Sequence, residues 1–139
     1  MTEKISLQFP SKYKYLNLVD ILCNGIIRDI GVDPQTATEI AVSVIEACTN
    51  ALEHGNKSNP EVNVRVRFMW DDQKFVADVS DSGEGFDYMD YLRHIPDPSD
   101  IEHIRGRGIF IMKEMMDDLR FEYIENEGMK VTLEKSISG

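Results

Sequence analysis

DPQTATEIAVSVIEACTNALEHG, residues 33–55, reads as one helix that is apolar along one side and carries an unusual polar set along the other. Asp33 followed by Pro34 marks its start, because an Asp oxygen accepts a free backbone N–H and proline fits the first turn, where its missing N–H costs nothing. Gly55 marks its stop. Ile40, Val44, Ile45, Cys48 and Leu52 recur at spacings of three and four and line one face for burial. Ser43, Glu46, Asn50 and Glu53 recur at the same spacings on the opposite, solvated face. Solvated helix faces usually carry Lys/Glu pairs. Here a carboxylate and a carboxamide stand four residues apart with no cation between them, a pair able to hold a hard metal ion. On this stretch alone, an amphipathic helix whose Glu46 and Asn50 meet only water is the competing reading.

Working outward toward the N-terminus, Glu3 to Phe9 alternates as a short strand ended by Pro10, and Tyr13 to Ile30 has helical spacing closed by Gly31. On the other side, after the loop Asn56–Pro60, the period changes to two. Val62, Val64, Val66, Phe68 and Trp70 alternate with polar residues, Asp71–Asp72 turns, and Lys74 to Ser80 returns as a second strand. A helix over Ile109–Asp118 and a hairpin of Leu119–Ile124 with Met129–Leu133 follow. The order is strand, helix, helix, hairpin, loop, helix, hairpin. It predicts an α+β fold, a two-layer α/β sandwich with helices on one face of a mixed, mostly antiparallel sheet.

Length and composition set the bounds. The 139 residues make one domain, 1–139, with a real core. With 25 acidic against 15 basic residues the net charge is −10, which argues against nucleic acid and anionic membranes as primary partners. A nucleotide polyphosphate would need a metal ion or concentrated backbone N–H donors. Cys23 and Cys48 fall on apolar helical positions and read as buried hydrophobes in a reducing compartment. No apolar run is long enough to span a bilayer, and the N-terminus lacks the apolar stretch of a signal peptide, so a cytoplasmic location is expected.

Two glycine motifs carry chemistry. Asp81-Ser82-Gly83-Glu84-Gly85-Phe86 follows a strand, and its glycines let the backbone turn sharply and approach a ligand. Arg105-Gly106-Arg107-Gly108-Ile109 opens the third helix, where free N–H groups and the helix dipole make a phosphate seat; the two arginines can contact phosphates or a partner. Between them, residues 86–105 form a long irregular segment in which Pro96 and Pro98 forbid a continuous helix, and its length marks it as a lid. His94 and His103 lie within it, and His54 ends the long helix. Met112, Met115 and Met116 read as pliable core. There is no G-x-x-x-x-G-K-[ST] loop and no Cys/His metal cluster.

In this order the three motifs resemble the GHKL ATPase superfamily, most closely the bacterial stand-alone anti-sigma-factor serine/threonine kinases, over nearly the whole chain. Its N box is similar to Glu46-Ala47-Cys48-Thr49-Asn50-Ala51-Leu52-Glu53-His54-Gly55, its first glycine box to Asp81 through Phe86, and its second to Gly106 through Met112. The resemblance implies the Bergerat, histidine-kinase-like ATPase fold, with ATP and Mg²⁺ as ligands. It implies that Asn50 binds the Mg²⁺, that Glu46 takes the proton from an attacking hydroxyl, and that Asp81 accepts a hydrogen bond from the adenine amino group. Gly83 and Gly85 would pass the base and ribose; Arg105, Gly106, Arg107, Gly108 and Ile109 would seat the phosphates. It further implies a sigma factor and an anti-sigma-factor antagonist as protein partners. A non-catalytic ATP/ADP-binding regulatory module is the alternative, and Glu46 favours the kinase because binding alone needs no base. An open edge on the N-terminal strand suggests a homodimer.

Overall fold

The structure, a computed structural model, describes residues 2–83 and 104–137, with side chains from residue 108 onward in the second stretch. β1 (Glu3–Pro10), β2 (Asn63–Trp70), β3 (Lys74–Ser80), β4 (Asp118–Ile124) and β5 (Gly128–Ser136) form one sheet in the order β1-β2-β3-β5-β4. Every described pairing is antiparallel, so the sheet is more uniform than the mixed one expected. The helices α1 (Leu16–Ile30), α2 (Pro34–Asn50) and α3 (Ile104–Met115) complete the α+β fold.

Strand alternation builds the core. Val64, Val66 and Phe68 of β2 and Phe75, Ala77 and Val79 of β3 are buried together with Val19 and Cys23 of α1 and Ile40 and Val44 of α2. Burying a side chain such as Phe68 contributes roughly 1.5–3 kcal/mol. The intervening residues face the other way, and cross-strand ion pairs tie them together. Arg67 stands opposite Asp78 in register and donates to its Oδ2 from Nη2 at 2.7 Å and from Nε at 3.0 Å. Lys74 and Glu134 meet at 2.9 Å. Such pairing lets an antiparallel sheet keep one face wet.

The helix boundaries follow local chemistry. Asp33 is extended, and its Oδ1 accepts from the Thr36 backbone N–H at 2.8 Å, with Pro34 as the first helical residue. Gly31 ends α1 at φ 84°, the left-handed region glycine enters freely, and donates to Ile27 O at 3.0 Å. Three expectations need correction. The long helix is α-helical only to Asn50; Ala51–Gly55 is one wider π turn, closed by Asn56 N–H donating to Ala51 O at 2.8 Å. The last helix begins at Ile104 and ends at Met115, so Gly106 and Gly108 lie inside its first turns instead of ahead of it. Ser43 is not on a solvated face: it is 0% exposed, because its stripe of α2 lies under α3.

Both thiols are buried, and loss of solvent pushes Cys23 up to about 12 and Cys48 further, which keeps them protonated and inert. Met112 and Met116 are core, as expected. Among the described residues no helix is long and apolar enough to cross a membrane. The lid expected over 86–105, with Pro96, Pro98, His94 and His103, lies outside the described residues apart from the backbone of α3's first turn.

Candidate functional site

The polar stripe of α2 faces α3, and two anchors fix how the helices lie. Near the N-terminal end of α3, Gly108 sits against Glu46 and Asn50: a side-chain carbon at Gly108 would lie 2.7 Å from Glu46 Oε2 and 3.6 Å from Asn50 Nδ2. At the other end Lys135, on the helix-facing side of β5, donates from Nζ to Met115 O at 2.6 Å and stands 3.5 Å from Glu39 Oε2. Glu39 and Met115 are therefore neighbours at one end, and Asn50 and Gly108 at the other. The two helices run antiparallel, with Ser43 between the anchors; its hydroxyl has no hydrogen-bond partner among the described residues. A lysine at the last carbonyls of α3 also complements the negative end of that helix.

This brings Glu46, Asn50 and Gly108 together, three of the residues singled out in the sequence. Glycine at 108 leaves room for the two side chains beside the first turns of α3. Both offer hard oxygen donors. Among the described residues no three His, Cys, Asp or Glu side chains converge as a metal cage. A cation beside Asn50 would complete its shell with water and phosphate oxygens, which suits Mg²⁺. Ile109 is 1% exposed, so its side chain belongs to the core.

Asp81 forms a second cluster at the end of β3. It is 6% exposed, and its Oδ1 accepts from Gly83 N–H at 2.8 Å and from Met129 N–H at 3.3 Å. Its own N–H donates to Met129 O at 2.9 Å. Three glycines from separate segments converge there. A side chain at Gly55 would strike the Asp81 carboxylate, one at Gly83 the Gly55 carbonyl, and one at Gly128, already at φ 119°, the Asp81 carbonyl. Gly55, which the sequence offers as a helix stop, is thus also a close-approach point. Gly85 lies outside the described residues, as do the side chains of Arg105 and Arg107; Gly106 is described only as backbone within α3.

Two residues that the sequence reading gave no role in the site organise it. Asn56 is 5% exposed; its Oδ1 accepts from Ser82 N–H at 2.8 Å, and its Nδ2 donates to Ser11 Oγ and to Asn63 O, each at 3.0 Å. It fixes the Asp81 turn to the end of α2's π turn and to the segment after β1. Lys135 is the second. An Asn just past a helix reads as an ordinary turn former, and a lysine in a strand reads as solvated. The available signal for Lys135 was its parity with Val131 and Leu133 on the buried side of β5.

A family model described as the histidine kinase-like ATPase domain matches residues 9–135. The chain belongs to that family. The histidine kinase-like ATPase match spans every element from the end of β1 into β5. The serine-protein kinase RsbW of Listeria monocytogenes serotype 4a (strain HCC23) is 29% identical over 143 residues, covering 99% of this chain and 90% of that protein. RsbW of Bacillus licheniformis is 27% identical, covering 96% of this chain and 86% of that protein. Among solved structures, a chain of the SiaB–SiaC complex from Pseudomonas aeruginosa superposes with a TM-score of 0.70 at 17% identity, over 96% of this chain and 88% of its own length. At that identity the likeness speaks for the fold. The kinase-family resemblance read from the three motifs therefore holds across nearly the whole histidine kinase-like ATPase domain.

Proposed function

We propose that this chain is an ATP-dependent serine/threonine protein kinase acting as an anti-sigma factor: it binds a sigma factor and phosphorylates a Ser or Thr on an anti-sigma-factor antagonist. The observation that carries the reading is the meeting of Glu46 and Asn50, one turn apart on α2, at Gly108 of α3. The relatives named serine-protein kinases support the reaction class.

In this reading ATP is the substrate, and Asn50 would hold a Mg²⁺ that would supply charge neutralisation at the phosphates. Asp81 accepts from the adenine amino group. A hydrogen bond to a charged group contributes about 1.5–3 kcal/mol, whereas guanine would turn a carbonyl lone pair toward the carboxylate. Gly83 and Gly85 border the base and ribose, and the backbone from Arg105 to Ile109, with the two arginines, seats the phosphates. Glu46 takes the proton of the acceptor hydroxyl as its oxygen bonds to the γ-phosphorus and the bond from that phosphorus to the ADP oxygen breaks. Phosphoryl transfer needs chiefly positioning and charge neutralisation, to which a base adds roughly 10²–10⁴-fold. The working unit is the single domain 1–139, cytoplasmic, with β1 at the sheet edge as a homodimer contact.

Titration calorimetry with ATP, ADP and GTP, with Mg²⁺ and with EDTA, tests the ligand roles: Mg²⁺-dependent adenine binding and no GTP binding are expected. γ-Labelled ATP with the antagonists encoded in the source genome tests the reaction. Glu46→Gln should bind ATP normally and lose at least about 100-fold in transfer. Full transfer by Glu46→Ala would remove Glu46 from the role of base.

A further inference from the structure

The face of the sheet turned away from the helices carries a cavity of about 570 Å³ that the nucleotide reading leaves unused. It reaches from β1 across β2 and β3 to the tip of the β4–β5 hairpin, and Arg65, Arg67 and Lys130 bring three cations to it in a chain whose net charge is −10. Two carboxylates line it as well, Asp78 and Glu127. Asp78 is taken up by Arg67 through two hydrogen bonds, and Glu127 stands exposed in the hairpin turn. Arg65 and Lys130 are engaged far less. Arg65 Nη2 reaches the Asp81 main-chain oxygen at 3.5 Å, the outer limit of a hydrogen bond, and meets no carboxylate among the described residues. Lys130 Nζ stands 3.6 Å from Glu122, whose side chain is 61% exposed; a surface pair of that kind contributes little and yields to a better ligand.

The register sets these two cations on either side of one hydroxyl. Arg65 of β2 and Lys130 of β5 both stand opposite Ser80 of β3, on the same face. Neighbouring strands lie about 4.8 Å apart, so the two cationic backbones are separated by about 10 Å. Two long side chains spanning that gap can close on a single anion above Ser80. The guanidinium fork, the ammonium and the hydroxyl offer donors from three directions, which suits the several oxygens of a tetrahedral phosphate better than the two of a carboxylate. Ile124, 37% exposed, adds an apolar wall at the hairpin end of the cavity. We propose that this cavity is a binding site for a small organic phosphate, its phosphate held by Arg65, Lys130 and the Ser80 hydroxyl and its carbon portion resting on Ile124. The site lies across the sheet from α2 and α3, and the assignment is independent of the kinase reading.

The test follows backbone amide shifts of the isotope-labelled full chain, in EDTA and without nucleotide, as phenyl phosphate or inorganic phosphate is added. Saturable shifts should centre on Arg65, Ser80 and Lys130, with phenyl phosphate bound more tightly than inorganic phosphate. Arg65→Gln and Lys130→Gln should each weaken phenyl phosphate by about tenfold or more, the loss of one charged hydrogen bond, while the melting temperature stays at the wild-type value. Arg65→Lys keeps the charge and removes the fork, so its affinity should fall between wild type and Arg65→Gln. Ile124→Ser should erase the preference for phenyl phosphate and leave inorganic phosphate binding unchanged. Three results overturn the assignment: no saturable shift at these residues, binding that survives both Gln variants, or shifts centred on Asp81 and α3, which would place the phosphate in the nucleotide site. A free chain whose amides along this face shift on dilution also overturns it, by making the face a contact between copies. Each of these results leaves the kinase reading standing.

Discussion

Replacing Gly108 by Ala separates stability from catalysis. The added methyl would lie 2.7 Å from Glu46 Oε2, against 3.4 Å or more for ordinary contact, so the carboxylate must retreat by about 0.7 Å. The obstacle is the far end of a flexible side chain, so it yields without opening the core. Gly108 lies within α3, and alanine there gains roughly 0.5–1 kcal/mol from helix propensity. The variant should melt at or above the wild-type temperature. Misplacing a reacting group by about 1 Å costs about 10²-fold, so a shift of this size should lower the transfer rate by roughly 10–100-fold. Asn50 Nδ2, at 3.6 Å from the same point, is already at ordinary contact distance, so Mg²⁺-ATP affinity should change by less than about threefold. Thermal melting, calorimetry and single-turnover transfer read the three quantities separately. A Gly108→Ala variant with full transfer would show that Glu46's position beside α3 does not matter to the reaction. A loss of several kcal/mol in stability would show that Glu46 cannot move, and the reasoning would fail at its first step.

Asn56→Ala removes three hydrogen bonds, one buried and two partly buried, and leaves the Ser82 N–H without its acceptor, which should cost about 3 kcal/mol in denaturant melts and weaken adenine nucleotides as the Asp81 turn loosens; wild-type stability would refute the network. Lys135→Met should destabilise by about 2 kcal/mol, since it strips a charged donor from Met115 O and leaves Glu39 half-buried without its cation. An unchanged urea midpoint would remove Lys135 from the α2–α3 junction. Asp33 has its carboxyl held below the ordinary 3.8, first by the Thr36 backbone N–H and then by the Thr36 hydroxyl. Its folded pKa is lowered, so the cap stabilises above 3.8 and that contribution is lost as pH falls through the lowered value. Asp33→Ala should therefore melt earlier than wild type at neutral pH, with the gap closing in acid; a constant gap from pH 7 to pH 2 would contradict the cap.

The parts of the fold that depend on local chemistry were legible. Asp33-Pro34 and Gly31 signal helix ends through bonds made within four residues, and the period-two stretches of β2 and β3 need only a core on one side. The three motifs were legible as a set, because their order and their helix and strand contexts narrow what each leaves open alone. What failed depended on distant neighbours. Ser43 reads as solvated until α3, far along the chain, is laid over it. Asn56 finds Ser11 45 residues away, and Lys135 finds Met115 20 residues earlier. No periodicity encodes such meetings. Gly106 and Gly108 read as the entrance to a helix because glycine disfavours helix interiors, but at Gly108 the room needed by Glu46 and Asn50 outweighs that local preference.

The sheet order also dictates when the site can exist. β5 is the last strand in the chain yet lies inside the sheet, between β3 and β4. Asp81 takes two of its bonds from Met129, 48 residues further on, so a nascent chain with everything through α3 already emerged still has a turn at Asp81 without its floor. Pairings this remote in sequence close slowly, because loop entropy must be lost before they reward it. The turn at Asp81, where we propose that adenine is recognised, is accordingly among the last features the folding chain completes. A ligand present throughout synthesis selects the finished molecule and has nothing to hold before then.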